Sequence, residues 1–396
     1  MLYIGIDVAK EKHDCCIIDD CGDLLTSFKI RNSLRGYEEM LQRVLTLSAN
    51  KADIIFGLED TGHYDNTLVN YLLRKHFQVR TVNPILTAQQ KRSVTLRKTK
   101  TDSIDAKQLA HFLKNGVGFK PTTIIPQDAL ELKQLTRYRL NLIQKRTVEK
   151  TSVRRLVHIM MPELEQYMTN TASMTVCEML YHYPSRAHIR KCHTKTLGKL
   201  LKVVSKGNYG ELMARTIKNE LRNSIGIDSE AGSYELKNTI QRIFQLTEEI
   251  KEIDKRLATL LQKTNSVVQT IPGIGVVVAA TIIGEIGSTL RFKNPGQLLA
   301  YAGLSPTVYQ SGKYINRRGK MEKRGSKYLR HALFLAARGA YLYCSEFRIY
   351  YDKKRSEGKH YYVALSHVAK KLIRVIYALE KTGQPYRPNM LTTTVS

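Results

Sequence analysis

The chain has 396 residues, enough for two or three domains, and carries 63 Lys and Arg against 35 Asp and Glu, a formal net charge of +28. Such an excess indicates a polyanionic partner and favours nucleic acid over a membrane surface. The longest apolar run, VVVAATII at 276–283, is too short to cross a bilayer, so no membrane-spanning helix is expected.

Cysteine usage and the amino-terminal segment bear on the compartment. The six cysteines show neither a Cys-x-x-Cys pair nor a regular spacing, which fits reduced thiols in a cytoplasm. The segment MLYIGIDVAK is typical of a strand and lacks the charged-then-apolar order of a signal peptide. Cys192 and His193 are adjacent but have no second ligand pair, and we assign no zinc site to them. We therefore expect a cytoplasmic protein.

The first 125 residues alternate strand and helix patterns. The predicted strands are LYIGIDVA, the hairpin arms HDCCIID and LLTSFKI around the turn DCGD, ADIIFGLE and QVRTVNP. The predicted helices are RGYEEMLQRVLTLSA, YDNTLVNYLLRKH and DSIDAKQLAHFLKNG, the last with a terminal glycine. Three strands followed by alternating helices and strands is the element order of an RNase H-like α/β domain with a mixed sheet.

Helical periodicity takes over after Pro121 and Pro126, and we place a helical, coiled-coil region at 126–265. Apolar residues at alternating steps of three and four predict a seam formed by Ile243, Leu246, Ile250, Ile253, Leu257 and Leu260. This seam could join two subunits, or pack a long helix within one subunit. Residues 127–160 carry a basic face, formed by Lys133, Arg137, Arg139, Lys145, Arg146, Lys150, Arg154 and Arg155. Residues 162–232 give mixed helix and loop signals and no role.

The C-terminal region, 266–396, is predicted to be mainly helical and begins with a motif resembling a helix-hairpin-helix. In IPGIGVVVAATIIGEIG, the turn at Gly273 and Gly275 could offer backbone N–H groups to a phosphate. A tight packing turn between helices is the structural alternative.

A second basic segment follows at 311–330, where eight Lys and Arg accompany one Glu and are interleaved with glycines and tyrosines. This composition is typical of a surface that contacts phosphates, and a plain solvated face is the alternative. The full set of nucleic-acid-binding candidates is Lys98, Lys100, Arg137, Lys145, Arg146, Arg154, Arg155, Gly273, Gly275, Lys313, Arg317, Arg318, Lys320, Lys323, Arg324, Lys327 and Arg330.

Four carboxylates fall where an RNase H-like sheet would bring them together. Asp7 lies within the first strand among apolar neighbours, and Glu59 closes the strand DIIFGLE. Asp102 and Asp105 share one face of a helix at i,i+3. Two Mg²⁺ ions, for which Mn²⁺ could substitute, would balance the four charges and assist phosphoryl transfer. Ordinary ion pairs on a solvated helix are the alternative for the helical pair, and Asp60 competes with Glu59 because neighbouring strand residues point to opposite faces.

Together these segments resemble the DEDD-type transposases of bacterial insertion sequences. The matching motifs, in order, are IGIDVAK, EDTGHY, VNP, KTDSIDA, IPGIG, YAGLSP, QSGK and KRGSKYLR, and they span roughly 1–125 and 265–340. The resemblance implies a Holliday-junction-resolvase-like N-terminal domain whose metal-binding acids are Asp7, Glu59, Asp102 and Asp105. It also implies a catalytic serine at Ser311 in the C-terminal domain, a structured guide RNA, and donor and target DNA as partners. A homodimer or homotetramer in the bacterial cytoplasm, at the nucleoid, is expected.

Two departures from the family pattern bear on the site. Asp60 stands where a small residue is usual, and Ser326 stands where Asn is frequent. Ser326 and Ser305 therefore compete with Ser311 as the nucleophile; Ser305 precedes Pro306 in a predicted turn where a capping role is expected. We favour Ser311, which precedes a glycine that lets the backbone approach a phosphate.

The sequence thus predicts a transposase or site-specific recombinase that acts through a phosphoserine link. A metal-dependent Holliday-junction nuclease using water, a DNA invertase of the same family, and a non-catalytic nucleic-acid-binding protein are the alternatives.

Overall fold

A computed structural model describes residues 1–60, 64–94, 102–116, 118–306, 310–311, 314–315 and 321–387. Residues 91–94, 102, 310, 311, 314 and 315 are described by their backbone alone. The chain divides into two compact units, Met1–Ile125 and Pro126–Ser396.

A six-stranded mixed sheet forms the first unit. Its strands are β1 (Leu2–Val8), β2 (Lys12–Ile18), β3 (Leu24–Arg31), β4 (Ile54–Glu59), β5 (Gln78–Val82) and β6 (Lys120–Pro121). They follow the order β3-β2-β1-β4-β5-β6. The first three strands are antiparallel, β4 and β5 continue the sheet in parallel with β1, and β6 is antiparallel to β5.

Four α-helices accompany the sheet: α1 (Leu34–Leu47), α2 (Asp65–Arg74), α3 (Pro84–Val94) and α4 (Asp102–Lys114). The core between the sheet and α1 and α2 contains Ile4, Ile6, Met40, Phe56 and Leu68, all fully buried. The five predicted strands and three predicted helices are observed, whereas β6 and α3 were not predicted. The pattern of α3 is weakly amphipathic, but Pro84 at its first position pre-sets the helical φ angle.

Helix α4 lies directly on β1, and a glycine makes this approach possible. A Cβ atom at Gly5 would come within 2.3 Å of both the carbonyl oxygen of Ala106 and the backbone nitrogen of Ala110. No side chain fits at that distance, so only glycine lets the helix backbone rest on the strand.

The second unit is mainly helical. Its helices are α5 (Gln127–Met160), α6 (Leu164–Tyr167), α7 (Met174–His182), α8 (Arg186–Lys191), α9 (Thr194–Val204), α10 (Glu211–Glu220), α11 (Glu230–Lys263), α12 (Val276–Ile286), α13 (Pro295–Tyr301), α14 (Lys327–Tyr343), α15 (Ser345–Ser356) and α16 (Tyr361–Thr382). Two short strands, β7 (Gln310–Ser311) and β8 (Tyr314–Ile315), form an antiparallel pair. Short 3₁₀ turns occur at Lys51–Asp53, Leu221–Asn223, Val268–Thr270 and Thr289–Arg291.

The two longest helices, α5 and α11, pack against each other in opposite directions. Arg155 Nη2 lies 2.6 Å from Glu235 near one end of the pair, and Arg139 is paired with Asp254 near the other. The predicted seam faces the protein interior: Ile243, Ile250, Ile253 and Leu257 are buried, and Leu246 and Leu260 are partly buried. The seam therefore packs within the chain, which is one of the two predicted alternatives; a dimer seam stays a prediction.

Two hydrophobic cores lie within the second unit. One contains Val157, Met179, Leu201 and Ile240, and is built from α5, α7, α9, α10 and the first half of α11. The other surrounds α12, α14 and α16, with Ile282, Leu333 and Leu372 at its centre. The mixed sheet followed by a mainly helical remainder confirms the α/β plus helical fold class. The separation into 126–265 and 266–396 stays a prediction, because both parts belong to one compact unit.

In the part of the chain that the structure describes, no helix has both the length and the apolar character needed to cross a membrane.

Candidate active site

Asp7 and Glu59 stand side by side at one edge of the sheet. Strands β1 and β4 are parallel and pair Gly5 with Gly57 and Ile6 with Leu58, so the next residues in register are Asp7 and Glu59. Side chains alternate between the two faces of a strand. Asp7 and Glu59 therefore lie on the face of Gly5 and Gly57, which is the face covered by α4.

The direction of α4 brings its first turn to the same edge. A Cβ atom at Gly22, in the β2–β3 turn, would lie 3.1 Å from Nζ of Lys114 at the end of α4. That turn adjoins the amino end of β1, since Tyr3 pairs with Ile18. Helix α4 consequently begins near the carboxyl end of β1, where Asp7 lies.

Asp105 sits in the first turn of α4 and is 7% exposed. The structure thus gathers Asp7, Glu59 and Asp105 on one face and one edge of the first unit. Asp102 is the first residue of α4, and its side chain lies outside the described residues.

Glu59 and Asp60 have different surroundings. Glu59 is half-buried, and the hydroxyl of Thr87 on α3 donates to its Oε1 at 2.5 Å. Asp60 follows the end of β4, is exposed, and donates its backbone N–H to the carbonyl of Val82 at 2.9 Å. Alternation along the strand puts Glu59 on the α4 face. Thr87, which is 1% exposed, was not identified from the sequence because nothing predicted α3.

A further carboxylate adjoins Asp7. Asp14 on β2 is its direct cross-strand partner, so the two side chains share a face. Asp14 is buried, and Nζ of Lys29 on β3 lies 3.4 Å from its Oδ1. The sequence analysis missed Asp14, because its place opposite Asp7 depends on the pairing of β1 with β2, which was not predicted.

The donor set at this edge suits a hard divalent cation. Carboxylate oxygens are the ligands that Mg²⁺ and Mn²⁺ prefer, and several carboxylates with little exposure favour bound cations over mutual repulsion. Asp7, Glu59 and Asp105 supply such oxygens from three different elements, although in the described structure their ligand atoms do not all lie within 4.8 Å of one another.

A second acidic group lies at the opposite end of β1. Among the described residues, ligand atoms of Asp19, Cys21 and Asp23 lie within 4.8 Å of one another in the β2–β3 turn. Oδ1 of Asp19 already accepts the backbone N–H groups of Gly22 at 2.9 Å and Asp23 at 2.8 Å. These bonds are the chemistry of an Asx turn, and we assign no metal to this group.

The three candidate serines differ in their surroundings. Ser311 lies in β7, with its backbone paired to Tyr314, and its side chain lies outside the described residues. Ser326 is the N-cap of α14: its Oγ accepts the N–H of Leu329 at 3.1 Å and donates to Glu285 at 2.7 Å. Ser305 accepts the N–H of Glu322 at 3.0 Å through its backbone carbonyl, next to a bridge between Pro306 and Met321.

Glu285 anchors a buried polar network that the sequence did not reveal. Its carboxylate is fully buried and accepts hydrogen bonds from Nε of Arg137 at 2.6 Å and from Nη2 of Arg137 at 3.0 Å. It also accepts the hydrogen bond from Ser326. The guanidinium of Arg137 also lies 4.4 Å from the ring centre of Tyr328. The network ties α5, α12 and α14 together.

Several predicted nucleic-acid-binding residues have partners within the chain. Arg137 pairs with Glu285 and Arg155 with Glu235, and Arg146 donates to Thr247 at 3.2 Å. On the same helix, Lys145 and Arg154 are exposed. Gly273 adopts a positive φ of 86°, and a Cβ atom there would lie 2.3 Å from the carbonyl oxygen of Gly339. Gly273 thus makes a close helix contact, which is the packing alternative.

Gly275 and the second basic segment are only partly described. Gly275 is the N-cap of α12 and has open space at its Cβ position. Arg330 donates to the carbonyls of Lys323 at 3.0 Å and Ala302 at 3.4 Å, while Arg324 and Lys327 are exposed. Outside the described residues lie Lys98, Lys100, Lys313, Arg317, Arg318 and Lys320. A nucleic-acid role for the whole predicted set stays a prediction.

Comparison with known proteins bears on this arrangement of acids. Residues 4–162 match the DEDD-type IS110 domain family described as Transposase, and residues 265–352 match the family described as Transposase IS116/IS110/IS902 family. The chain belongs to the IS110-type transposase family. The first match spans the six-stranded sheet with its carboxylates, and the second spans the α12–α14 region that contains Ser311.

Individual proteins are similar to this chain over nearly their whole lengths. The insertion element IS116 uncharacterized 44.8 kDa protein of Streptomyces clavuligerus is 24% identical over 98% of this chain and 96% of its own. The insertion element IS900 uncharacterized 42 kDa protein of Mycobacterium paratuberculosis is 23% identical over 99% of this chain and 98% of its own. The pilin gene-inverting protein of Moraxella bovis is 23% identical over 97% of each chain. Membership in this DEDD-type family also indicates dependence on a divalent metal.

Proposed function

We propose that this protein is a transposase or site-specific recombinase that cuts and rejoins DNA strands through a serine nucleophile assisted by bound metal ions. The observation that supports the proposal is the position of Asp7, Glu59 and Asp105 on one face of the sheet, at the carboxyl ends of its two central strands. Three separate elements supply these carboxylates, which is how a site for phosphoryl transfer is built on a sheet scaffold.

The order of the strands supports an RNase H-like, resolvase-like first unit. Three antiparallel strands precede two parallel ones, and the carboxylates lie at the carboxyl ends of the two central strands. When bound there, Mg²⁺ ions would neutralise the carboxylates and stabilise the negative charge that develops on a phosphate. Asp7, Glu59, Asp102 and Asp105 would hold them, and Thr87 orients Glu59 by its hydrogen bond.

The nucleophile proposed is Ser311. Its hydroxyl oxygen attacks a phosphorus atom of the DNA backbone, the bond from phosphorus to the 3′ oxygen breaks, and the hydroxyl proton passes to solvent or to the leaving 3′ oxygen. The 5′ phosphate stays attached to the serine. A 3′ hydroxyl from another strand then attacks this phosphoserine, which restores the serine and forms the new phosphodiester. Because the bond energy is kept, strand exchange needs no ATP.

The partners proposed are donor and target DNA, a structured guide RNA, and further copies of the chain in a dimer or tetramer. The pilin gene-inverting relatives support recombination chemistry that can produce inversion as well as transposition. Lys323, Arg324 and Lys327 would contact backbone phosphates and position the strands without reading sequence.

The rival candidate is a metal-dependent nuclease in which water attacks the phosphate. The same carboxylates serve that reaction, and Ser311 then has no chemical role. A covalent protein–DNA species separates the two, since only the serine reaction forms one.

The test is a covalent trap with the full chain. Purified protein is incubated with Mg²⁺, end-labelled DNA carrying the ends of its element, and RNA co-purified from cells, and is then denatured and resolved by electrophoresis. We expect a labelled protein–DNA band that is present with wild-type protein, absent with Ser311→Ala and absent with Asp105→Asn. Ser305→Ala serves as the matched serine control and should retain the band.

Cut DNA without attached protein, unaffected by Ser311→Ala but lost in Asp105→Asn, would overturn the serine mechanism and establish the nuclease. Binding without strand cleavage at any divalent metal would overturn the enzyme proposal altogether.

A further inference from the structure

Residues 186–222, to which the sequence analysis gave no role, concentrate positive charge. The stretch contains ten Lys and Arg and two acidic residues, Glu211 and Glu220. Helix α11, which follows directly, has six basic and six acidic residues over Glu230–Lys263. The excess in 186–222 is therefore local and does not simply reflect the composition of the unit.

Most of these cations face solvent. Eight of them are exposed and define what we term the α8–α10 basic surface: Arg190, Lys191, Lys195, Lys199, Lys202, Lys206, Arg215 and Arg222. Glu211 pairs with Arg215 at 2.8 Å, and Glu220 accepts a hydrogen bond from Tyr167, which raises the pKa of that phenol. Among the described residues, Arg215 is the one member of the surface that has an ion-pair partner.

Helices α9 and α10 pack side by side and carry four of these eight cations: Lys195, Lys199 and Lys202 on α9, and Arg215 on α10. The helices run in opposite directions, because Lys218 Nζ donates to the carbonyl of Cys192, and a Cβ atom at Gly198 would lie 2.7 Å from Cα of Glu211. The buried face of α9 is formed by Leu197, Gly198 and Leu201. Lys195, Lys199 and Lys202, at i, i+4 and i+7, occupy the opposite, exposed face.

A groove lies between the start of α9 and the length of α10. Its lining is polar or charged throughout: His193, Thr194, Lys195, Thr196, Glu211, Arg215, Lys218, Asn219 and Arg222. The absence of apolar side chains disfavours an acyl chain as occupant. The absence of Phe, Tyr and Trp disfavours the stacking of unpaired bases, which single-strand binding sites use.

We propose that the α8–α10 basic surface binds the phosphate backbone of a nucleic-acid duplex. Lysines act as point charges for phosphates and give affinity without sequence readout, which suits the backbone of a duplex. The proposal goes beyond the proposed function by giving residues 186–222 a duplex-binding role. It is independent of the Ser311 reaction, because it concerns binding alone.

The test compares two triple variants of the full chain. Lys195→Gln, Lys199→Gln and Lys202→Gln together remove three charges from the surface. Lys251→Gln, Lys255→Gln and Lys263→Gln remove three exposed charges from α11 in the same unit. Binding is measured by fluorescence anisotropy with a 30-base-pair DNA duplex over a salt series, and circular dichroism checks that both variants are folded.

We expect the surface variant to lose about tenfold or more in affinity and to reduce the slope of log K against log salt by up to about 2.7, since each phosphate contact contributes about 0.9. The α11 variant should change the slope by less than about 0.9, the contribution of one phosphate contact. If both variants lost affinity equally, the effect would come from net charge alone and the proposal would be overturned. An unchanged salt slope in the surface variant would also overturn it.

Duplex RNA, single-stranded DNA and vesicles of anionic phospholipid, tested with the same two variants, identify the partner. A variant-specific loss with duplex DNA or duplex RNA supports the proposal and tells the two apart. A variant-specific loss confined to single strands or to vesicles would overturn it. These binding outcomes stand whether or not the covalent trap succeeds, so the two proposals can fail separately.

A second measurement uses wild-type protein and does not depend on the folding of a variant. Surface lysines are acetylated with an N-hydroxysuccinimide ester, with and without bound duplex, and quantified by mass spectrometry. We expect Lys195, Lys199 and Lys202 to be protected by the duplex, and Lys251, Lys255 and Lys263 to react equally in both states. Equal reactivity of the first three lysines in both states would contradict the proposal.

Discussion

Two groups of poorly exposed carboxylates, one in each unit, are built in opposite ways. Glu285 in the second unit faces a cation and a hydroxyl, from Arg137 and Ser326 on two other helices. Asp7 in the first unit has other acidic residues around it: Asp14 across the ladder, Glu59 in the next strand and Asp105 on α4. A carboxylate surrounded by internal donors stabilises packing, whereas acids gathered at one sheet edge are suited to an added cation.

The largest expected effect separates these two kinds of site through activity. Asp105→Asn should reduce strand cleavage by more than about 10³-fold, the scale of removing a group that acts in the transition state. The free energy of unfolding without added metal should change by less than about 1.5 kcal/mol, because Asn keeps the size and shape of the side chain. Cleavage assays and urea unfolding in EDTA measure the two quantities.

Asp60→Asn is the matched control for Asp105→Asn, since Asp60 is exposed and follows the end of β4. It should leave cleavage within a few-fold of wild type. Mn²⁺ titration by calorimetry adds a readout other than activity: Asp105→Asn should weaken binding and Asp60→Asn should not. Full cleavage activity of Asp105→Asn would show that the acids at this end of the sheet do not act in catalysis, and the contrast with the structural carboxylate Glu285 would no longer hold.

The second effect tests the Glu285 network through stability. Arg137→Ala leaves a fully buried carboxylate without its cation, and we expect the free energy of unfolding to fall by about 3 kcal/mol, the lower end for a broken buried pair because Arg137 is partly exposed. Urea unfolding of the full chain, followed by circular dichroism, measures this. The double variant Arg137→Met with Glu285→Met should lose less, because no charge is left buried. An equal loss in both would mean that packing, and not the charge, matters at this position.

Arg137 also shows where sequence reasoning reaches its limit. Hydrophobic periodicity predicted five of the six strands of the sheet and three of its four helices, because one buried face imposes a period on each element. It also placed Asp7, Glu59 and Asp105 near one another through the expected topology. A charged residue carries no such period, so the sequence could not tell that Arg137 and Arg155 have acidic partners on α12 and α11, far away along the chain.

Helix α3 and the position of Asp14 could not be predicted from the sequence for a related reason. Helix α3 carries Thr87, which donates a hydrogen bond to Glu59, but its apolar pattern is too weak to predict a helix from the sequence. The place of Asp14 opposite Asp7 required the register between β1 and β2, which depends on the pairing of two strands and not on either strand alone. Local patterns therefore predicted most of the elements, while contacts between distant elements set the surroundings of the acids.

The third effect tests how the acidic edge is assembled. Gly5→Ala forces α4 away from β1, because the new Cβ would lie 2.3 Å from two backbone atoms, and we expect a loss of about 2 kcal/mol in unfolding free energy. Cleavage should fall as well, since Asp105 moves with the helix relative to Asp7. Gly57→Ala is the graded control: its Cβ would meet the ends of the Leu113 and Phe119 side chains, which can move. Equal cleavage in the two variants would show that the approach of α4 does not position Asp105.

The smallest expected effect concerns Ser326, which is bonded to Glu285. It distinguishes this structural serine from Ser311, the proposed catalytic one. Ser326→Ala removes the N-cap of α14 and one donor to Glu285, and should lower the free energy of unfolding by about 1 kcal/mol while the covalent protein–DNA species persists. Ser311→Ala should do the reverse, leaving stability unchanged and abolishing that species. Thermal unfolding and the covalent trap measure both variants side by side. If Ser326→Ala abolished the covalent species without a loss of stability, the hydroxyl bound to Glu285 would be the better nucleophile candidate, and the separation between a structural and a catalytic carboxylate group would no longer hold.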